Sequence, residues 1–273
     1  MSFSTIMVHL DVENSNAACL RIAGDLAERF NAKLIGIAAA NLQQACDAKD
    51  VSAARLVEWE RSDISKRLTD AEERFRCAAK EHASEIEWRS AIARPADYVS
   101  CEARAADLVI TGANHEASPI DPIVRLDPGE LVMQAGRPVL IVPSEVECLK
   151  LKCAMVAWKD TREARRAVSD ALPLLQRVQE VVVVEVIQDE ANRSAAHARI
   201  DDVVVWLGRH GITSFGRVFH FPEGREPLDK LWEYGADFLV AGAYGHAPWH
   251  EWLFGGFTRN VLRRSRQCSF LAH

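Results

Sequence analysis

The sequence of this 273-residue chain repeats itself after a shift of 130 positions. The segment Ala106-Asp-Leu-Val-Ile-Thr-Gly-Ala lies on Ala236-Asp-Phe-Leu-Val-Ala-Gly-Ala, and the match runs without a gap from 107–143 onto 237–273. The beginnings correspond as well: Ile6-Met-Val-His-Leu-Asp and Ala154-Met-Val-Ala-Trp-Lys each open one half. Self-similarity of this length indicates duplication. We therefore predict two similar domains, 1–146 and 150–273, each large enough for one hydrophobic core.

Short β-branched runs alternate with helical patterns in both halves, which is typical of a parallel sheet covered on both faces. The predicted strands are Thr5–Leu10, Lys33–Ala38, Glu85–Ser90, Leu108–Thr111 and Val139–Val142, then Cys153–Ala157, Val181–Val186, Gly216–Phe221, Phe238–Ala241 and Ser269–Ala272. Right-handed crossovers turn such a pattern into an open, doubly wound sheet. The predicted fold class is α/β, with two tandem doubly wound domains, each an open five-stranded parallel sheet with helices on both faces.

The first half contains a long polar helical segment, about 44–84, which exceeds its counterpart at 192–210. Two interpretations stay open for it. The segment is a solvated helix that packs one apolar stripe on the sheet, or it forms, with Trp59, a groove for an apolar ligand or a partner helix.

Composition limits the classes of partner. The net charge of -6 comes without a basic stripe, which argues against nucleic acid as a partner. No leader pattern and no apolar run typical of a membrane span is evident, so we expect a cytoplasmic protein with no membrane partner. The seven cysteines include no Cys-x2-Cys pair, which is typical of reduced thiols.

A glycine-rich segment near the end of the chain is the strongest candidate for a binding site. Gly242-Ala-Tyr-Gly follows an apolar strand pattern, and Gly255-Gly-Phe-Thr precedes a helical pattern. A strand, a glycine-rich loop and a helix start allow backbone N–H groups to surround a phosphate. The spacing Gly-x2-Gly-x9-Gly resembles the nucleotide loop of the universal stress protein family.

This resemblance implies a strand order of 3-2-1-4-5 and a ligand crevice between the first and fourth strands of the domain. It also implies an adenine nucleotide as the ligand, with ATP and Mg²⁺ in the second domain only. The site predicted in this way comprises Trp158, Lys159, Asp160, Gly242, Tyr244, Gly245, His246, Gly255, Gly256, Phe257 and Thr258.

Two positions depart from the family pattern. Lys159 stands where the family has an aspartate that contacts the nucleoside, and Gly256 stands where Ser or Thr follows the last glycine; the nearest hydroxyl is that of Thr258. Lys159 could reach a phosphate or fill the mouth of the crevice. The glycines could hold a phosphate or simply shape a tight loop.

The first half shows the reverse pattern. Asp11 occupies the position of the family's nucleoside aspartate, but His115 replaces the second glycine, and Arg125 and Leu126 align with Gly255 and Gly256. The last helix begins Asp127-Pro-Gly-Glu, which predicts an aspartate cap, proline at the first helical position and glutamate at the third. Carboxylates there would repel a phosphate. We therefore expect the first domain to be a degenerate copy that binds no nucleotide.

Both halves end in an apolar fifth strand, and an uncovered apolar edge favours pairing. The resemblance implies that the two fifth strands pair and make the chain a pseudo-dimer. A further homodimer of the whole chain stays open.

The chain carries no Gly-x-Ser-x-Gly elbow, no Walker-type lysine loop and no Cys-His motif, so an enzyme is not the favoured interpretation. His246, His250 and Glu251 have the spacing of metal ligands, but Pro248 interrupts the helix that would align them, and we predict no metal site. The predicted function is that of a stress-response sensor or regulator that binds ATP and acts on a protein partner. The alternatives are a scaffold without a ligand and a slow nucleotide hydrolase.

Overall fold

The computed structural model of the chain describes residues 2–42, 51–113, 125–221, 235–243 and 266–273. Contacts divide the chain into two compact units, Phe3–Arg137 and Pro138–His273. The domain boundaries taken from the repeat, 1–146 and 150–273, stay a prediction.

The first unit is a parallel sheet with strand order β3-β2-β1-β4. Its strands are β1 (Thr5–His9), β2 (Lys33–Ala40), β3 (Ile86–Ile92) and β4 (Leu108–Gly112). Its helices are α1 (Ala17–Phe30), α2 (Val51–Ala79), α3 (Pro95–Glu102) and α4 (Pro128–Gln134). The apolar runs of β1, β2 and β4 are buried, as expected for a sheet with helices on both faces.

The long helix α2 packs a single apolar stripe. Ile64, Leu68, Ala71 and Phe75 are buried, whereas most other side chains along the helix are exposed. The ring of Phe75 lies so close to β2 that a Cβ at Gly36 would come within 2.6 Å of it. The described part of the segment therefore supports the interpretation as a solvated helix that covers the sheet, while residues 43–50 lie outside the described residues.

The second unit has the full predicted order. Its strands are β5 (Val139–Val142), β6 (Cys153–Ala157), β7 (Glu180–Ile187), β8 (Ser214–His220), β9 (Phe238–Gly242) and β10 (Cys268–Ala272). Its described helices are α5 (Arg162–Asp170), α6 (Leu172–Leu175) and α7 (Arg193–Arg209). The order β8-β7-β6-β9-β10 is parallel throughout and equals 3-2-1-4-5 when counted within the half. The predicted fold class is confirmed.

The fifth strands of the two halves pair with each other. β5 runs antiparallel to β10, with Leu140 opposite Phe270 and Val139 opposite Leu271. Both strands are buried over their whole length. The pairing of the apolar fifth strands, expected from their uncovered edges, is confirmed.

The duplication is visible in individual hydrogen bonds. Asp107 Oδ2 accepts from the backbone N–H groups of residues 4 and 5, at 2.7 and 3.0 Å. Its repeat partner Asp237 accepts from the N–H groups of residues 152 and 153, at 2.8 and 2.9 Å. In both halves one aspartate before the fourth strand fixes the start of the first strand. Within the described part of the chain, the helices are too short or too polar to cross a membrane.

Candidate functional site

The predicted crevice of the second half lies where β6 separates β7 from β9. Ala157 at the end of β6 is opposite Ala241 of β9, so the chain leaves the two strands side by side, at Trp158 and at Gly242. This is the point where the strand order reverses, the usual ligand position in an open α/β sheet. The predicted site residues Tyr244, Gly245, His246, Gly255, Gly256, Phe257 and Thr258 lie outside the described residues.

Gly242 is required by helix packing. A Cβ at this position would lie 2.5 Å from the backbone nitrogen of Ala164 and 2.6 Å from the carbonyl carbon of Glu163, so the first turn of α5 rests directly on the end of β9. At the repeat position Gly112, a Cβ would meet only the Sγ of Cys19, at an ordinary 3.8 Å. The glycine at the start of the predicted loop therefore has a structural role that is independent of any ligand.

The start of α5 is capped by its own side chains. Thr161 Oγ1 accepts a hydrogen bond from the Ala164 N–H at 3.3 Å. Glu163 is buried in the first turn; burial raises the pKa of its carboxyl, but hydrogen bonds from Arg162, from its own backbone and from Thr161 more than offset this and leave the pKa lowered. The positive end of the helix dipole, at the start of α5, stabilises a carboxylate at this position. A phosphate in the crevice would therefore depend on the glycine-rich loop rather than on α5.

Lys159 is the predicted site residue with the greatest electrostatic importance. It is half-buried, and burial lowers the pKa of its ammonium group, while the carboxylate of Glu185 acts in the opposite direction. Asp160, the next residue, is exposed and forms an ion pair with Arg165 of α5. The second residue after β6 is thus a partly buried lysine, a residue type that binds phosphate.

Trp158 is the first residue after β6, and its backbone is bonded to β7. Its backbone N–H donates to Val184 of β7 at 2.7 Å, and its indole lines a cavity of about 380 Å³ beside α5 and α7. Arg199 of α7 reaches this cavity and holds the buried Glu185 carboxylate through Nε at 3.1 and 3.2 Å. Sequence reasoning missed Arg165, Arg199 and Trp206 of this cavity. The signal for it was a carboxylate, Glu185, within the apolar run of β7.

The crevice of the first half is filled by its own side chains. Asp11 accepts hydrogen bonds from the Glu13 N–H and from Asn14 Nδ2, both at 2.8 Å, and from Arg125 Nη2 at 3.3 Å. Burial raises the pKa of the Asp11 carboxyl, but these hydrogen bonds and the charges of His9 and Arg125 more than offset this and leave the pKa lowered. The residue at the nucleoside position of the family is thus ionised and engaged within the protein.

The start of α4 has the predicted cap. Asp127 Oδ1 accepts from the Gly129 N–H at 2.9 Å, Pro128 occupies the first helical position, and Glu130 follows at the third. The Glu130 carboxylate is bound by both terminal nitrogens of Arg94, at 2.7 and 2.6 Å. The predicted helix cap is confirmed, and it places two carboxylates where a phosphate-binding helix would need open N–H groups.

A smaller cavity of about 220 Å³ lies beside α2 in the first unit. Its lining includes Trp59, which is 69% exposed, Leu56 and the ion pair between Arg67 and Glu13. Its position is where the sequence suggested a groove.

Among the described residues, no group of three or more His, Cys, Asp or Glu side chains has the arrangement of a metal site. The spacing of His246, His250 and Glu251 noted in the sequence falls outside the described residues.

The architecture is that of known universal stress proteins. The chain is similar to a universal stress protein from Archaeoglobus fulgidus DSM 4304, with a TM-score of 0.75 and 15% sequence identity over 98% of this chain and 95% of that one. It is also similar to a functionally unknown protein from Pseudomonas aeruginosa PAO1, with a TM-score of 0.61 and 14% identity over 99% and 92% of the two chains. No protein-family model matches the sequence, and no curated protein does. The chain therefore has the universal stress protein fold in tandem, and the resemblance drawn from the glycine spacing is confirmed for the fold.

Proposed function

We propose that this chain is a cytoplasmic universal stress protein that binds an adenine nucleotide, ATP with Mg²⁺, in its second domain and acts as a stress-response sensor or regulator. The observation that carries the proposal is the juxtaposition of Lys159 with the start of the glycine-rich segment at Gly242, at the reversal point of the sheet. Parallel α/β sheets bind ligands at this point, and a glycine-rich loop before a helix suits phosphates.

The two halves differ in a way that favours one site per chain. In the first crevice Arg125 is paired with Asp11, and Asp127 caps α4. The cation and the helix N–H group that could bind a phosphate are therefore already engaged. The second half has a glycine at both aligned positions, Gly255 and Gly256, and a lysine after its first strand. In this proposal the first domain, 1–146, serves as a structural copy and the second, 150–273, binds the nucleotide.

A regulatory role follows from the position of the loop. ATP bound at the segment between Gly245 and Gly255 would alter the surface that the second domain presents to a protein partner. Pairing of β5 with β10 gives the chain its internal pseudo-dimer, and a homodimer of the whole chain remains a separate proposal.

A ligand-independent scaffold is the second candidate function, and one observation favours it. Gly242 is explained by its contact with α5, so the first glycine of the motif does not by itself require a phosphate. A slow nucleotide hydrolase is the third candidate; release of phosphate from ATP that stops in a Gly245→Val variant would support it.

The proposal is tested by calorimetric titration of the nucleotide-stripped protein with Mg-ATP. We expect saturable binding near one site per chain, lost in Gly245→Val because a β-branched side chain blocks close approach of a phosphate to the backbone. The matched control is Gly208→Val on α7, where an added Cβ meets no atom within 4 Å. Wild-type protein that gives no heat would reject nucleotide binding and leave the scaffold.

A further inference from the structure

A groove with an exposed tryptophan lies beside α2 in the first unit. It is the cavity of about 220 Å³, called here the α2 groove, between α2 and the residues at the ends of β1 and β2. The strand side includes Val12 and Glu13, which follow β1, and Ala40, which ends β2. Residues three and four apart on α2 form the helix side and so share one side of the helix. They are Leu56, Trp59, Glu60, Asp63, Ile64 and Arg67.

The exposed part of this groove lies outside the stripe that covers the sheet. α2 has 29 residues, whereas α7, its counterpart in the second half, has 17. Both helices lead into the third strand of their half, so α2 is longer by about three turns. The buried stripe of α2 begins at Ile64, and Leu56 and Trp59 precede it. Packing against the sheet therefore does not account for these two apolar side chains.

Leu56 and Trp59 form an apolar anchor surface at the mouth of the groove. Leu56 is 44% exposed and Trp59 is 69% exposed, and the two lie one helical turn apart. Single exposed apolar residues are ordinary, but neighbouring ones beside a cavity are typical of a surface that contacts another molecule. Tryptophan is also among the residue types most enriched at the energetic centres of protein interfaces.

The size of the groove favours a side chain over a whole small molecule. Small-molecule sites usually enclose roughly 300–1,000 Å³, and the volume of about 220 Å³ falls below this range. A groove of this size, open beside an exposed indole, suits one apolar side chain of a protein partner.

The charges of the groove favour a basic partner. Its described lining contains three carboxylates, those of Glu13, Glu60 and Asp63, and one guanidinium, that of Arg67. Arg67 lies between two of these carboxylates, with Nη1 3.2 Å from Glu13 and Nη2 2.6 Å from Asp63. The lining is therefore negative overall, and complementary charge directs partner choice and orientation. A lysine of the partner also gains from contact with the face of an exposed indole.

The chain itself is a poor match for the groove. Residues 43–50, which directly precede α2, carry two aspartates and one lysine and no apolar side chain larger than that of Cys46. A second copy of the chain, with a net charge of -6, brings an excess of negative charge. Charge complementarity thus points away from both and toward a different, basic protein.

We propose that the α2 groove is a docking site for a segment of a protein partner in which an apolar anchor residue is flanked by lysine or arginine. The apolar anchor enters the groove beside Leu56 and Trp59, and the flanking cations face the carboxylates of the lining. The site belongs to the first domain, and its test does not depend on ATP binding.

The test uses three blocked peptides of the same length. Lys-Lys-Leu-Leu-Lys-Lys has both features, Lys-Lys-Gly-Gly-Lys-Lys lacks the anchor, and Glu-Glu-Leu-Leu-Glu-Glu has the wrong charge. The indole N–H signals of ¹⁵N-labelled full-length protein are followed by NMR at physiological ionic strength, and the anisotropy of dye-labelled peptides gives the affinities. We expect the first peptide to shift the Trp59 signal in a saturable way and to bind at least roughly tenfold more tightly than the other two.

Two pairs of variants separate the anchor from the charge. Trp59→Ser assigns the signal and is expected to weaken the first peptide by roughly tenfold or more, as loss of an interface anchor does. Its control is Val205→Ser on α7, which removes an apolar side chain that is 56% exposed outside the groove.

Glu60→Lys is expected to weaken the same peptide by roughly tenfold, because it reverses a charge of the lining. Glu58→Lys changes the net charge of the chain equally, but Glu58 is exposed and, two residues from Glu60, lies on a different side of α2. It is the control and should bind the peptide nearly as the wild type does, since salt screens exposed charges beyond about 8 Å.

Four results would overturn the proposal. Equal affinities of the wild type and Trp59→Ser would remove the anchor, and equal losses in Glu60→Lys and Glu58→Lys would reduce the binding to general charge attraction. A Trp59 signal that shifts with protein concentration in the absence of peptide would assign the groove to a second copy of the chain. Displacement of the peptide by Mg-ATP would assign it to a nucleotide.

Discussion

Arg125 Nη2 lies 3.3 Å from Oδ2 of Asp11, which joins the residue at the family's nucleoside position to the residue that replaces a loop glycine. The two side chains come from positions 114 apart in the sequence and are each about a quarter exposed. Their contact fills the crevice of the first half with an internal ion pair. The aspartate just after the end of β1 is therefore engaged by a side chain of the same half.

The first prediction concerns this pair. Arg125→Gln is expected to lower the free energy of unfolding by no more than about 1 kcal/mol, because the pair is partly solvated and Asp11 keeps its bonds from Glu13 and Asn14. The variant is also expected to gain no nucleotide site, since Asp127 still occupies the N–H of Gly129. Urea unfolding measures the first effect, and titration with Mg-ATP the second. A second equivalent of bound ATP in the variant would contradict the view that the α4 cap keeps the first half closed.

Gly242 and Gly112 align in the repeat, but substitution by alanine should change the stability of the protein differently at the two positions. Gly242→Ala places a methyl group 2.5 Å from the backbone of Ala164, where only a shift of α5 or β9 can relieve the clash, and we expect a loss of about 1–3 kcal/mol in unfolding free energy. Gly112→Ala is the matched control, because its Cβ meets only Cys19 Sγ at 3.8 Å. Thermal and urea unfolding of both variants compare them directly. Equal stability of the two variants would rule out the packing role of Gly242.

The architecture could be predicted from the sequence because local residue patterns specify its strands and helix caps. The repeat itself predicted β4 and β9 from their apolar runs. Each run follows an aspartate that fixes the start of the first strand of its half. The cap at Asp127 was readable too, since proline and glutamate at fixed offsets specify it without any distant residue.

The site was less predictable because its chemistry depends on tertiary approach. Nothing local shows that α5 would press on Gly242, or that Arg125 would reach Asp11 across the fold. The cavity of about 380 Å³ beside Trp158 depends on where α7 lies relative to α5, which periodicity does not determine. Glu185 inside an apolar strand was a local sign of a buried charge that needed a distant partner.

His9 should make stability depend on pH. Burial lowers the pKa of His9 from 6.5 to about 4, with the Asp11 charge acting in the opposite direction, and Nδ1 lies 3.1 Å from Thr111 Oγ1. Between these two values the unfolded chain takes up a proton that the folded chain does not, so stability falls as pH falls through this window. The difference of about 2.5 pKa units corresponds to about 3 kcal/mol.

The variant His9→Gln removes the titrating group and keeps a polar partner for Thr111. Urea unfolding near neutral pH and near pH 4 is expected to show a smaller loss on acidification in His9→Gln than in the wild type. The control Thr111→Val should lose stability at both pH values but retain the pH dependence. Wild-type and His9→Gln curves that stay parallel would show that His9 does not carry the effect.

Lys159 provides the most direct test of the proposed phosphate contact. Lys159→Met is expected to weaken the binding of Mg-ATP by roughly tenfold to a hundredfold, the usual effect of losing one charged hydrogen bond to a phosphate. Lys152→Met removes an exposed lysine before the start of β6; it is the control and should bind Mg-ATP as the wild type does.

The affinity for Mg-ATP should also depend on pH. Because burial lowers the pKa of Lys159, its ammonium group loses its proton at a lower pH than that of an ordinary lysine, and the wild-type affinity should begin to fall at that lower pH. Calorimetric titrations across the alkaline range measure both effects, and an ATP affinity that is the same in Lys159→Met and Lys152→Met would place the phosphates away from the end of β6.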